Sequence, residues 1–179
     1  MGKTADVRTH VRTSMAVVAV ALVLALPRFA AAQAAPATPS PGPDMTKGTY
    51  MSAADAAAAV AATAAKQGTS PNGITRVLQL APYTVSLEHR IPVAQSAAIH
   101  DKDAELFVVI DGSATLVTGG TLVNPTRNGD NVSGTAITGG TSQKMSKGDF
   151  MLIPQGVAHW ITDIQGSFTP MTLHLPMVK

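Results

Sequence analysis

The sequence predicts an all-β sandwich or barrel preceded by one alanine-rich helix. Three observations carry that prediction. From Ile74 onward, short runs rich in Val, Ile, Leu, Thr and Phe (TRVLQL, YTVSLEHRI, ELFVVI, SATLVT, GTAIT, DFMLI, HWIT, MTLHL) are separated by Gly, Pro, Asn and Asp. That punctuation belongs to many short strands and their turns. Aromatic residues make up only 4% of the chain, so the core between those strands is expected to be aliphatic. Ahead of them lies SAADAAAAVAATAAKQG, residues 52–68. Ser52 and Asp55 have the spacing of a capping box, and Gly68 stands where a glycine stops a helix. Alanine favours a helix but offers little apolar area, so this one is expected to be a peripheral arm.

Taken in order, residues 1–34 read as a secretory signal. Lys3, Arg8 and Arg12 precede an apolar run from Met15 to Leu26, which Pro27 ends. Ala30-x-Ala32 and Ala32-x-Ala34 then offer small-residue cleavage sites. The run is short of the roughly 20 apolar residues that span a bilayer, so no permanent membrane anchor is expected after cleavage. With no adjacent arginine pair, the general secretory route is the expected one. The expected destination is the periplasm or exterior of a bacterium. Residues 35–72 comprise a proline-rich tether, with four prolines between Gln33 and Asp44, and the helix. Residues 73–179 form the barrel.

Charge and cysteine content exclude several functions. The whole chain carries a formal +2. Loss of everything before Gln33 would leave 9 basic against 10 acidic residues, a net −1, so no nucleic-acid partner is expected. The absence of cysteine excludes disulfides, thiolate metal sites and cysteine nucleophiles.

Two segments concentrate the chemistry. In HDKDAELFVVIDG, residues 100–112, four turn-like residues separate His100 from Glu105. Alternation puts Glu105, Phe107 and Val109 on one strand face, and Ala98 with His100 on one face of the strand before. In GDFMLIPQGVAHW, residues 148–160, a Gly-Asp turn enters an apolar strand, Pro154 and Gly156 make a bend, and His159 opens another strand. Two imidazoles and a carboxylate on the concave face of a sheet satisfy a divalent cation and leave positions open for substrate.

These segments resemble the two motifs of the cupin superfamily, whose fold is a double-sheet jelly-roll barrel. His100, Glu105 and Gly112 match the spacing of the first motif; Gly148, Pro154, Gly156 and His159 match the second. The resemblance covers residues 74–179. It implies metal ligands at His100, Glu105 and His159, but the family's additional first-motif histidine is replaced here by Ala98. Asp163 also stands where the second motif often has Asn. The reduced two-His-one-Glu set points first to Fe(II), with Mn, Ni, Zn or Cu as alternatives. The resemblance implies a metal-dependent enzyme acting on a small organic molecule, of oxygenase, isomerase, lyase or decarboxylase type, with oxygenase chemistry the first expectation. With the signal at residues 1–34, that enzyme is expected to be exported. The alternative is a non-catalytic binding or assembly module with a degenerate site.

Several other residues carry expectations. His89 shares a face with Val85, Leu87 and Ile91 and is a candidate for the second shell or pocket, with Phe107 and Ala98 beside the ligands. His174 alternates against Met171, Leu173 and Leu175 and is expected to point away from the core. Glu88 and Arg90 are expected to pair at the surface or in a dimer contact, and Trp160 to pack on the arm or another subunit. The two TGGT segments, 118–121 and 138–141, are expected to bound a projecting polar loop, NPTRNGDNVSG. A homodimer formed through an open sheet edge is the expected assembly.

Overall fold

Ser52 opens the helix as its spacing from Asp55 predicts. In the computed structural model, which describes residues 46–177, α1 spans Ala53–Gln67. The Asp55 amide donates to Ser52 Oγ at 3.1 Å, and the hydroxyl donates to Asp55 Oδ2 at 2.6 Å. Gly68 ends the helix at φ 58°, a backbone that glycine adopts without a Cβ penalty. Ser52→Ala should cost about 1 kcal/mol, read as a lowered urea midpoint with fraying confined to α1. The expected signal, residues 1–34, and nearly all of the tether lie outside the described residues.

Eleven strands follow among the described residues: β1 (Asn72–Leu80), β2 (Tyr83–Arg90), β3 (Ala97–His100), β4 (Asp103–Thr118), β5 (Thr121–Val123), β6 (Thr126–Asn128), β7 (Asn131–Gly134), β8 (Ala136–Thr138), β9 (Thr141–Ser146), β10 (Phe150–Ile153) and β11 (His159–Pro176). All pairings are antiparallel. Nine strands form one sheet, and β5 with β8 forms a second. The all-β expectation therefore holds.

The long strands β4 and β11 organise the sheet. They pair from Asp103↔Pro176 to Thr118↔His159, with irregular register between Thr162 and Pro170. On its other side, β11 meets β2 toward its C-terminal half and β3 at His159. The curvature follows from one fact. His159 and His174 stand fifteen positions apart on β11, roughly 50 Å in a straight strand, yet both reach the carboxylate of Glu105. The strand must curl around the interior, as a barrel requires.

Phe107, Val109, Leu116, Met145, Ile153, Ile161 and Phe168 fill the main core. Ala97, Leu122, Ile137 and Ala158 form a second cluster, against which Trp160 packs. The Trp160 indole N–H donates to the Gln95 carbonyl at 2.8 Å, so its partner is the loop before β3 and not the helical arm.

The helix lies over the outer face of β1 and β2, enclosing an apolar groove of about 660 Å³ lined by Val60, Val77, Val85, Leu87, Ile110 and Met171 among others. This cover reverses one expectation. Val85, Leu87 and His89 are apolar-face residues because they meet α1, and the alternate residues Ser86 and Glu88 turn toward the interior side. Glu88 is buried. Arg90 Nη2 lies 2.7 Å from its Oε2, Asn72 donates to the same oxygen at 3.3 Å, and Arg90 Nη1 reaches Gln95 Oε1 at 2.9 Å. The pair exists as expected, but within the protein and not at its surface, because a buried carboxylate needs compensating partners.

The projecting loop is also corrected. Residues 121–138 fold into four short strands, and the β6–β7 hairpin lies along β3, with Asn131 opposite His100.

Candidate metal centre

His100 is the last residue of β3 and Glu105 lies near the start of β4, so the intervening turn brings them face to face. Glu105 sits between Ile153 of β10 and His174 of β11 in the strand register. Its side chain is 5% exposed. His159, the first residue of β11, lies opposite Ala98 of β3. The three residues proposed from the motifs converge: His100 Nε2 lies 3.3 Å and His159 Nε2 3.1 Å from Glu105 Oε2. The two imidazole rings are tilted, with centroids 5.2 Å apart.

A fourth group joins them that sequence reasoning missed. His174 Nε2 lies 3.6 Å from the other carboxylate oxygen, Oε1, and its ring stands edge-on to His100 at 4.7 Å. One potential ligand atom from each of His100, Glu105 and His174 lies within 4.8 Å of the others. His174 was expected to point outward because Met171, Leu173 and Leu175 are apolar. Those residues belong to the other face of β11, and Met171 packs beneath α1. No signal in the sequence marked that face as the inner one; in the structure Thr172, which shares the His174 face, is 2% exposed.

Charge explains how Glu105 tolerates burial. Burial works to raise its pKa, but this is outweighed by the imidazoles of His100 and His159 at hydrogen-bond distance and by the charges of His159 and His174. The carboxyl is held well below its usual range. Burial likewise works to lower the pKa of His100. The adjacent Glu105 carboxylate, the hydrogen bond with Asn131 and the charge of Asp103 raise it instead.

The residues fit a divalent cation. Glu105 Oε2 is fully enclosed and makes no contact with hydrogen-bond geometry, although two imidazole nitrogens stand beside it. A buried carboxylate oxygen without a directed donor, surrounded by imidazoles, is a donor set that divalent transition metals accept. Ala98 brings no donor of its own. His174, arriving from the far end of β11, supplies an imidazole in addition to the motif set.

Phe107 is 1% exposed and presents its ring to His159 at 6.0 Å, so it forms a wall of the site. His89 does not take part. Its Nδ1 is bonded to Gln67 Oε1 of the helix at 2.7 Å, on the opposite side of the sheet. His174 is the most exposed of the four ligand candidates, at 38%. A cavity of about 280 Å³ opens there, lined by Arg76, Thr84, Ser86, Asp103 and Thr172 among others.

No protein-family model matches the chain, and no curated protein does. Among solved structures it is similar to a cupin domain from Schizosaccharomyces pombe, at 9% identity over 61% of this chain and 67% of that one, TM-score 0.44. A cupin superfamily protein from Desulfitobacterium hafniense shows 14% identity over 60% and 80%, TM-score 0.42. KdgF from a Halomonas species shows 11% identity over 62% and 85%, TM-score 0.45. The curled antiparallel sheet brings the His and Glu residues of both segments to one interior point, the arrangement expected from their resemblance to the cupin motifs.

Proposed function

We propose that the protein is a metal-dependent enzyme acting on a small organic molecule, its ion held by His100, Glu105 and His159 with His174 as a further ligand. The observation carrying this reading is the enclosed Glu105 carboxylate with three imidazoles about it. An apolar core of similar volume would avoid the desolvation cost of such a cluster, so the cluster calls for a functional reason. The degenerate-site alternative rested on the missing imidazole at Ala98 and on few polar inward groups; the approach of His174 supports the metal reading against the first of these.

Nitrogen-rich sets of this kind suit Fe(II), Ni, Cu and Zn better than calcium or magnesium, which prefer all-oxygen sites. Fe(II) is the ion of first choice, with Mn also to be tested. When bound, such an ion polarises a carbonyl or enol oxygen and, if redox-active, supports dioxygen chemistry. The chain's own contribution is positional. Glu105 is fixed between two strands, Phe107 closes the apolar side, and the cavity beside His174 admits substrate. Oxygenase chemistry is the reaction class to test first.

The test is metal content. Protein stripped of metal and offered Fe(II), Mn, Ni, Zn or Cu separately should retain about one equivalent of at least one ion through desalting. Failure of all five would remove the proposal and leave a non-catalytic barrel. Export is part of the same reading, supported by Lys3, Arg8 and Arg12 ahead of the apolar run. N-terminal sequencing of protein recovered from a bacterial periplasm should begin at Gln33 or Ala35; a retained Met1 would refute it. A homodimer is proposed through the open edge of β10, where Phe150 and Leu152 are 71% and 57% exposed. Light scattering that finds only monomer would exclude it.

A further inference from the structure

The 35 residues between the two motif glycines, Gly112 and Gly148, look like an appendage, yet their central hairpin is fastened to the candidate metal centre. The tip of the β6–β7 hairpin is tied to the two residues that follow His100. The Asp101 amide donates to the Asp130 carbonyl at 2.8 Å, Lys102 Nζ lies 2.8 Å from Asp130 Oδ2, and Arg127 pairs with Asp101. From that fixed tip, Asn131 turns its Oδ1 to His100 Nδ1 at 2.7 Å. The opposite nitrogen of the ring, Nε2, faces Glu105 at 3.3 Å.

We propose that Asn131 is a positioning residue for the metal centre: it accepts the Nδ1–H of His100 and so commits Nε2 to the site. An imidazole has one lone pair for a cation, and the bond made by the far nitrogen decides which nitrogen offers it. With Nδ1–H held by Asn131, the neutral ring meets an incoming ion with the Nε2 lone pair foremost. Without Asn131 the ring is free to turn over and present the wrong nitrogen. Asn131 is exposed and its backbone pairing with His100 does not depend on its side chain. Its loss should therefore leave folding stability within about 0.5 kcal/mol, while removing an outer-shell partner of this kind typically weakens metal binding 10–100-fold.

The metal-binding part of this inference rests on the proposed function; the proton assignment does not. Two readouts separate them. The first is nitrogen-15 NMR of metal-free protein labelled at histidine. Wild type should show an exchange-protected Nδ1–H on His100. Asn131→Ala should lose that signal, and Asn131→Asp, which still offers an oxygen, should retain it. Arg127→Ala loosens the same hairpin without touching Asn131 and should also retain it. The second readout is zinc affinity: about 10–100-fold weaker in Asn131→Ala and within a few-fold of wild type in the other two variants. An absent Nδ1–H signal in wild type, or one unchanged in Asn131→Ala, overturns the proposal. So does an unchanged zinc affinity in Asn131→Ala, or an equal loss in Arg127→Ala, which would make the effect one of hairpin stability alone. If wild type binds no zinc or other ion, the proposed function falls, and the NMR comparison still decides whether Asn131 holds the ring.

Discussion

Glu105→Gln should reduce retained metal from about one equivalent to a small residue while leaving the barrel folded. The substitution keeps the size and shape of the side chain but removes the negative charge. That charge is the one feature common to the cluster: Oε2 faces His100 and His159, and Oε1 faces His174. Neutral amide oxygen is a poorer partner for a divalent cation, and its NH₂ group would be buried among imidazoles. The expected loss exceeds 100-fold in affinity, because a direct ligand is lost and outer-shell partners alone are worth 10–100-fold. His100→Ala and His159→Ala should approach the same loss. His174→Ala should fall between them and wild type, since its ring is the most exposed and the farthest from the carboxylate. Metal analysis after desalting, with circular dichroism as the control for folding, reads the whole series. Full metal content in folded Glu105→Gln would remove the site; full content in His174→Ala alone would return it to the two-His-one-Glu set.

The sequence made His100, Glu105 and His159 legible because each sits beside a turn whose composition announces it: DKDA before Glu105, and PQG before the segment leading to His159. Alternation on each strand was also read correctly. It gives the residues that share a face, but the inner face must be inferred from which set is apolar. On β4 the set that shares a face with Glu105 is the inner one, and Glu105, Phe107 and Val109 are all buried. The inference fails on β2 and the C-terminal half of β11. There α1 covers the outer face, so Leu87 and Met171 are apolar on the outside, while Ser86, Glu88, Thr172 and His174 line the inside. One alanine-rich helix thus accounts for the errors at Glu88, Arg90, His89 and His174. The hairpin at Asn131 was illegible for another reason. Runs such as TRN and NVSG carry almost no apolar signal, and their pairing is fixed by long-range contacts with β3.

The two motif glycines should respond very differently to alanine, although both need a left-handed backbone. Gly148 has φ 93° and nothing within 4 Å of where a Cβ would stand. It turns the chain between β9 and β10, with its amide bonded to the Val109 carbonyl at 2.9 Å. Gly148→Ala should therefore cost only the conformational penalty, about 1–2 kcal/mol. Gly112 has φ 79°, and a Cβ there would collide with the Ser167 carbonyl oxygen and lie 3.2 Å from the Phe168 Cα. Both obstacles are backbone, and Phe168 is 1% exposed in the main core, so no flexible side-chain end can move aside. Adding an overpacking cost of about 1–3 kcal/mol to the same conformational penalty gives about 2–5 kcal/mol for Gly112→Ala. The difference should be visible as separated urea midpoints at equal slope. It should also reach the metal centre. Gly112 lies opposite Phe168, beside the irregular stretch of β11 that separates His159 from His174, and the β4–β11 pairing carries both residues around to Glu105. A shift that relieves the clash must displace one arm of that curl relative to the other, so Gly112→Ala should lose metal affinity under conditions where it remains folded and Gly148→Ala should not. Equal midpoints for the two variants would show that β11 yields at Ser167 without cost, and the link between this bend and the site would go with the clash.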